Sequence, residues 1–187
     1  RLIAAGVPLH EPYAMQAAVL HRQYQVARHL VSRGAPVDGT GVIQSPLWFA
    51  VAHGDAEMAA LLLNLGSDAN WQTDEMGTPL HAALNSFSAR DNRLALTKLL
   101  LEYKADVNAP QNDQVFRKNC LATPLHAAAE SLDRALVELL LLHGANPKLT
   151  DDSGRTPAQC TRERLQTVRL QDQRSKIEEI ISLLEAK

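Results

Sequence analysis

Large rings are scarce in this chain. Phe, Trp and Tyr make up 4% of its 187 residues while apolar residues make up 45%, so the core has to be assembled from Ala and Leu, a composition suited to short helices packed close together. Cysteine is nearly absent as well. Cys120 and Cys160 form no CxxC and are too few for a disulfide framework, which points to a reducing, intracellular compartment, cytoplasmic or nuclear. Apolar runs stay short: Leu139 to Leu142 is among the longest, against the ~20 residues that span a bilayer, so no membrane partner is expected. Nor does one sign of charge dominate. A net charge of -2 and a pI near 6.4 supply no basic field for phosphate backbones, and non-specific nucleic-acid binding is electrostatic in origin. Nucleic acid is set aside as a partner on that ground.

The usual signatures of chemistry are missing too. Nucleophilic catalysis needs a base and an orienting group around Ser or Cys, and no GxSxG occurs. There is no Gly-rich phosphate loop. A zinc site needs Cys and His ligands a few residues apart in a tetrahedral set, and the two cysteines are not paired with the histidines in that way. The chain is read as non-catalytic, with no catalytic residue, no cofactor and no metal.

What the chain does contain is repetition. Thr78-Pro79-Leu80-His81-Ala82-Ala83 returns as Thr123-Pro124-Leu125-His126-Ala127-Ala128, and worn copies flank the pair at Ser45-Pro46-Leu47-Trp48-Phe49-Ala50 and Thr156-Pro157-Ala158-Gln159-Cys160. The anchors Ser45, Thr78, Thr123 and Thr156 are separated by 33, 45 and 33 residues, so the period is 33 and one interval carries 12 extra residues. A second signature runs in phase: Leu61-Leu62-Leu63-Asn64-Leu65-Gly66, Leu99 to Asn108, and Leu139 to Pro147.

A 33-residue period with Thr-Pro-Leu-His-x-Ala resembles the ankyrin repeat, and the resemblance covers nearly the whole chain. It implies an all-α ankyrin-repeat solenoid of stacked helix pairs with projecting hairpin loops, whose concave side of hairpin tips and first helices is the usual protein-binding surface. It also implies that His81 and His126 are buried or half-buried structural residues hydrogen-bonding between neighbouring repeats. Asn70 and Asn108, with Leu62 and Leu100 eight residues before them, stand where ankyrin proteins are sometimes substrates of an asparaginyl hydroxylase; the same asparagine normally closes the hairpin.

The resemblance divides the chain into a single domain. Residues 1–11 read as the end of a preceding repeat, because Leu2-Ile3-Ala4-Ala5-Gly6 looks like a helix end with its C-cap glycine; the chain is expected to be part of a longer protein. Repeats follow at 12–39 and 40–72. In the first, Tyr13-Ala14 replaces Thr-Pro, so its helix start lacks the usual capping hydroxyl. In the second, Trp48 replaces the histidine and is expected in the core. The unit at 73–109 carries about five extra residues between Ala83 and Leu94, which extend either the first helix or its turn. An inserted finger occupies 110–122, a regular repeat 123–150, and a C-terminal capping repeat 151–187. In that cap Arg162, Glu163, Arg164, Arg169, Asp172, Arg174 and Lys176 form a solvated face, and Ile177, Ile180, Ile181, Leu183 and Leu184 an apolar stripe.

Functional residues are sought where the copies differ, since insertions in repeats map to loops, often on the binding face. Interface energy concentrates in Trp, Tyr and Arg anchors; Trp71, Phe116 and Arg117 are the first candidates, although Trp71 can instead pack on the neighbouring hairpin and Phe116 can pin its own loop. Asp74, Glu75, Lys118, His53, Asn85, Ser86, Glu130, Ser131, Asp152 and Arg155 complete the expected partner-binding set. The expected function is a scaffold, adaptor or inhibitor that binds another protein or peptide. The alternative is a targeting or regulatory domain of a larger enzyme.

Overall fold

The structure, a computed structural model, describes residues 13–39, 45–72, 77–86, 89–111, 123–167 and 171–186. The expected helix end within residues 1–11 and most of the finger at 110–122 lie outside the described residues. Among the described residues there are ten α-helices and no strand. They pair in order: α1 (Ala14–Leu20) with α2 (Tyr24–Ser32), α3 (Pro46–Ala52) with α4 (Ala56–Asn64), α5 (Pro79–Asn85) with α6 (Arg93–Glu102), α7 (Pro124–Ser131) with α8 (Arg134–Leu142), and α9 (Pro157–Thr167) with α10 (Gln171–Glu185).

The repeated residues set the helix limits. Pro46, Pro79, Pro124 and Pro157 each take the first helical position, where the missing N–H costs nothing. The Ser45 hydroxyl accepts the Trp48 N–H at 3.1 Å. Thr156 accepts the Gln159 N–H at 3.4 Å while Gln159 Oε1 accepts the Thr156 N–H at 2.8 Å, a reciprocal capping box. Tyr13 offers α1 no such side chain, the weaker start that its sequence suggests. Asp55 and Asp133 cap the second helices α4 and α8 through the N–H groups of Met58 (2.9 Å) and Leu136 (3.3 Å). At the far ends, the N–H groups of Ala35, Ser67, Ala105 and Ala145 return to the carbonyls of Leu30, Leu62, Leu100 and Leu140, each at 3.0 Å. That closure needs a left-handed residue just before it. Gly34, Gly66 and Gly144 supply it at φ 87°, 94° and 90°; in the third pair Lys104 is held there at φ 66°.

The first helices α1, α3, α5, α7 and α9 pack on one another in sequence, and α4, α6, α8 and α10 form a second row behind them. The first row packs more closely than the second, which places it on the inner side of the curve. Close approach depends on Ala18, Ala50, Ala83 and Ala128, which sit in equivalent places and are almost fully buried. Leu47, Leu80 and Leu125 fill the layers between first helices, and Leu62, Leu100 and Leu140 those between second helices; one apolar core runs from Met15 to Leu184.

α5 has seven residues, like α3, and the turn that leads to α6 contains a 3-10 segment at Arg90–Asn92. That turn folds back on the previous pair. The Ser86 hydroxyl donates to the Ala52 carbonyl, and Asn92 Nδ2 donates to the Gly54 carbonyl at 2.7 Å, satisfying acceptors that a helix end leaves open. At the other end of the array, α10 buries Ile177, Ile180, Ile181 and Leu184, while Arg162 pairs with Glu185 and Arg134 with Glu138 and Glu179 at the surface. Exposed pairs of this kind contribute little stability; the apolar stripe does the covering.

The left-handed conformation costs an L-residue roughly 1–2 kcal/mol that glycine does not incur. Lys104→Gly is therefore expected to raise the unfolding free energy by about 0.5–1 kcal/mol after the entropic cost of glycine is deducted. Urea denaturation measures this, and an unchanged or lowered midpoint contradicts it.

Candidate protein-interaction surface

The two histidines of the repeat are structural, and their tautomer follows from geometry. Both are about 1% exposed. In His81, Nδ1 accepts the Thr78 backbone N–H at 3.2 Å and lies 3.0 Å from the Thr78 hydroxyl, so in the neutral ring the proton resides on Nε2. In His126, Nε2 lies 3.0 Å from the carbonyl of Arg155, which can only accept, and Nδ1 lies 2.8 Å from the Thr123 hydroxyl. The same tautomer results, this time bridging from α7 to the next hairpin. Burial lowers the pKa of both rings, that of His81 to about 4; the Arg155 carbonyl partly opposes the shift in His126. Trp48, in the position of these histidines, is half-buried, edge-on to Phe49 at 5.7 Å. Its indole N–H is buried without an acceptor among the described residues.

A second polar ladder fixes the loop bases. Asn70 Oδ1 accepts the Asp106 N–H at 2.6 Å and Asn70 Nδ2 donates to the Lys104 carbonyl at 3.0 Å. One unit on, Asn108 repeats the pattern with the Asn146 N–H (2.8 Å) and the Gly144 carbonyl (3.1 Å). Asp38 opens the series by accepting from the Ser67 hydroxyl and the Asp68 N–H. Both asparagine amides are thus engaged in joining adjacent units.

The expected partner-binding residues fall in three places. His53, Asn85, Ser86, Glu130 and Ser131 line up at the C-terminal ends of α3, α5 and α7, on the inner row. His53 donates from Nδ1 to the Phe49 carbonyl at 2.8 Å and stacks on the Phe49 ring with centroids 6.3 Å apart. Asn85 Nδ2 donates to Gln111 Oε1 at 3.4 Å. Glu130 is half-buried; burial raises its carboxyl pKa and Arg164 opposes that. The Ser131 hydroxyl donates to the Ala128 carbonyl at 2.8 Å. Asp152 and Arg155 belong to the hairpin between α8 and α9. Asp152 is exposed, while the Arg155 guanidinium donates to Asp151 Oδ2 (2.9 and 3.0 Å) and to Glu163 (2.8 Å). Burial alone would raise the Asp151 carboxyl; the Arg155 N–H and guanidinium and the Ser153 N–H outweigh it and hold the pKa at about 2. Trp71 stands apart, half-buried at the base of the loop between α4 and α5. Asp74, Glu75, Phe116, Arg117 and Lys118 lie outside the described residues.

Two residues of this inner surface escaped the sequence reading. Phe49 occupies the register position that holds Ala17, Ala82 and Ala127 in the other units, a departure visible in the sequence but masked by its place in a worn motif. Gln111, at the root of the finger, crosses in front of Gly77, where an added Cβ would come within 3.2 Å of both Gln111 and His81. Gln111 thus lies against Gly77, just before α5, and accepts from Asn85 at the far end of that helix. A groove of about 510 Å³ between α9 and α10 holds the paired Arg162 and Glu185 among its lining residues. Among the described residues no three His, Cys, Asp or Glu side chains converge as metal ligands, and no helix is long and apolar enough to cross a membrane.

Comparison with known proteins agrees with this architecture. A family profile described as "Ankyrin repeats (3 copies)" matches residues 14–111, and one described as "Ankyrin repeat" matches residues 120–152. Ankyrin repeat and SOCS box protein 16 of Mus musculus is 35% identical over 65% of this chain and 26% of its own length. The ankyrin repeat protein YahD of Escherichia coli is 28% identical over 81% of this chain and 73% of its own. XBAT35 of Arabidopsis thaliana, whose name includes E3 ubiquitin-protein ligase, is 35% identical over 62% of this chain and 23% of its own. The chain thus spans about a quarter of the mouse and plant relatives.

The depressed histidine pKa values make stability depend on pH. Between about 6.5 and about 4 the unfolded chain binds protons at His81 that the folded chain refuses, so unfolding free energy falls as pH falls through that window and levels off below it. For His81 the full change is on the order of 3 kcal/mol, and His126 adds to it in the same direction. Asp151 yields only lower down, between its unfolded pKa of 3.8 and about 2. Urea midpoints measured from pH 7 to pH 4 are expected to fall; midpoints that stay level across that range contradict the buried neutral tautomer.

Proposed function

This chain belongs to the ankyrin-repeat family, and from that premise we propose that it is a non-catalytic protein-binding module, a scaffold, adaptor or inhibitor. It engages another protein or peptide along the inner row of first helices and the loops beside it. One observation carries the reading. The buried positions of the inner row repeat from unit to unit, whereas the positions at its helix ends change: Ala52 and His53, then Asn85 and Ser86, then Glu130 and Ser131. A rigid frame holding a different pair of side chains at each step can discriminate among partners without chemistry of its own, and loops on rigid scaffolds carry function disproportionately. The root of the finger at Gln111 supports including that insertion in the surface, because it lies within reach of Asn85.

A second reading has its own support. The chain spans only a minor part of the mouse and plant relatives, and the name of the plant relative includes E3 ubiquitin-protein ligase. On this reading the array is the targeting domain of a larger enzyme, recruiting the protein on which a separate catalytic part acts. Both readings use the same surface. They separate in one assay, transfer of ubiquitin to the captured protein by the full-length parent.

Affinity capture with the intact array, against a variant with Pro110 to Leu121 shortened and Trp71→Ala, tests the surface. Anchor residues at interfaces are worth about tenfold or more in affinity, so the variant is expected to recover at most a tenth of the partner. Equal recovery of the same partner removes the finger and Trp71 from the site.

A further inference from the structure

We propose that the turn between α5 and α6 receives an Asp or Glu side chain of the partner, held by the Arg93 guanidinium. This rests on the protein-binding reading above and gives the chemistry of what is bound. The register of the second helices singles Arg93 out. Asp55, Arg93 and Asp133 each stand seven residues before the leucine, Leu62, Leu100 or Leu140, whose carbonyl accepts the closing N–H of its unit. The two carboxylates cap their helices through the N–H groups of Met58 and Leu136. In the third pair a guanidinium takes the place of that carboxylate, and α6 has no side-chain cap.

That guanidinium is poorly matched from within. Arg93 is half-buried, its Nε is buried without an acceptor, and its Nη2 reaches the Ser86 carbonyl only at 3.5 Å, beyond the usual range of an N–H···O bond. Among the described residues it forms no ion pair. Nor does the exposed Arg90 three residues earlier, and Asp91, exposed between them, pairs with neither. Arginines at the turns of the first and fourth pairs are engaged instead, Arg22 with Asp55 and Arg134 with Glu138 and Glu179. A charge partly withdrawn from water without a counter-charge has already lost hydration. A carboxylate arriving there compensates that loss through charge-assisted bonds, two at once where it meets the fork edge-on.

The position belongs to the proposed binding surface. Ser86, whose carbonyl Arg93 reaches, follows Asn85 at the end of α5. The Ser86 hydroxyl and the Asn92 amide tie the turn to the Ala52 and Gly54 carbonyls of the preceding pair. Held at two points, the turn has little ordering left to undergo when a carboxylate binds, which favours affinity. Its charge also differs in sign from its neighbours. Residues 84–96 carry Arg90, Asp91 and Arg93, a net charge of +1; the corresponding residues 51–58 carry Asp55 and Glu57, a net -2, and 129–136 carry Glu130, Asp133 and Arg134, a net -1. Of these three steps of the array, only the third attracts an acidic segment, and complementarity of this kind fixes the register of a bound chain.

Selection from a library of short random displayed peptides with the intact array tests this, followed by fluorescence anisotropy with the labelled winners. Selected peptides are expected to carry Asp or Glu. Arg93→Met, which keeps a long side chain and removes the charge, is expected to weaken them about tenfold. Arg93→Lys is expected to keep only part of the affinity, because an ammonium lacks the planar fork. Arg28→Gln and Arg33→Gln remove the same charge from exposed positions on and after α2 and are expected to change affinity less than about twofold. Exchange of the peptide's own Asp or Glu for Asn or Gln is expected to cost about tenfold with the unaltered array and nothing further with Arg93→Met. Circular dichroism checks folding; if Arg93→Met loses helicity, Arg93→Lys carries the decision with the same peptide pair. Winners without an acidic residue, acidic ones indifferent to both Arg93 substitutions, or equal losses in Arg28→Gln and Arg33→Gln overturn the inference and leave protein binding standing. A library that yields nothing overturns it too, and if the capture experiment above also fails, the protein-binding reading falls with it.

Discussion

Every helix pair in this chain has two apolar faces and covers neither by itself. A seven-residue helix such as α3 is not stable in water alone, because the cost of nucleation is spread over too few hydrogen bonds. Its Leu47 is fully buried only because α1 and α5 lie against it. Stability therefore resides in the interfaces between neighbours, and the array behaves as a one-dimensional chain of such interfaces. The alanines at 18, 50, 83 and 128 follow from this constraint: a larger side chain there would push first helices apart and open the layers that the leucines fill.

Packing of this kind is tolerant of sliding, since one leucine layer resembles the next. The polar bonds remove that freedom. His126 reaches one defined carbonyl in the next hairpin, and Asn108 reaches one carbonyl and one N–H in the next loop base. A displacement by one residue would leave these buried or half-buried groups unpaired, at a cost of about 1–3 kcal/mol each. The turn of the third pair adds a bracket of the same kind by donating to the Ala52 and Gly54 carbonyls at the end of α3. Arg155 works in this framework as well, tying its hairpin to Asp151 and to Glu163 of α9.

Much of this was legible in the sequence because it is periodic. The anchors at 45, 78, 123 and 156 place four helix starts, and the Leu-rich segments place the second helices. Departures from the period were harder to interpret. An insertion after Ala83 could lengthen a helix or a turn; composition does not choose, and it is the Ser86 and Asn92 side chains finding open carbonyls that favour the turn. Lys104 gave no sign of its left-handed backbone, since the glycine it replaces is identifiable only once the helix end is known. Phe49 was visible as a letter in a worn motif but not as a half-buried ring held between Trp48 and His53. The role of Gln111 likewise depends on a contact across 26 residues of chain.

In the proposed function the shared residues make the frame, and the residues by which the units differ on its inner row bind the partner. Hydrogen–deuterium exchange of the array, free and bound to its captured partner, tests that division most directly. Added protection is predicted at the ends of α1, α3 and α5 and in the loops beside them, with α2, α4, α6 and α8 unchanged on their outer faces. Protection confined to those second helices would contradict it.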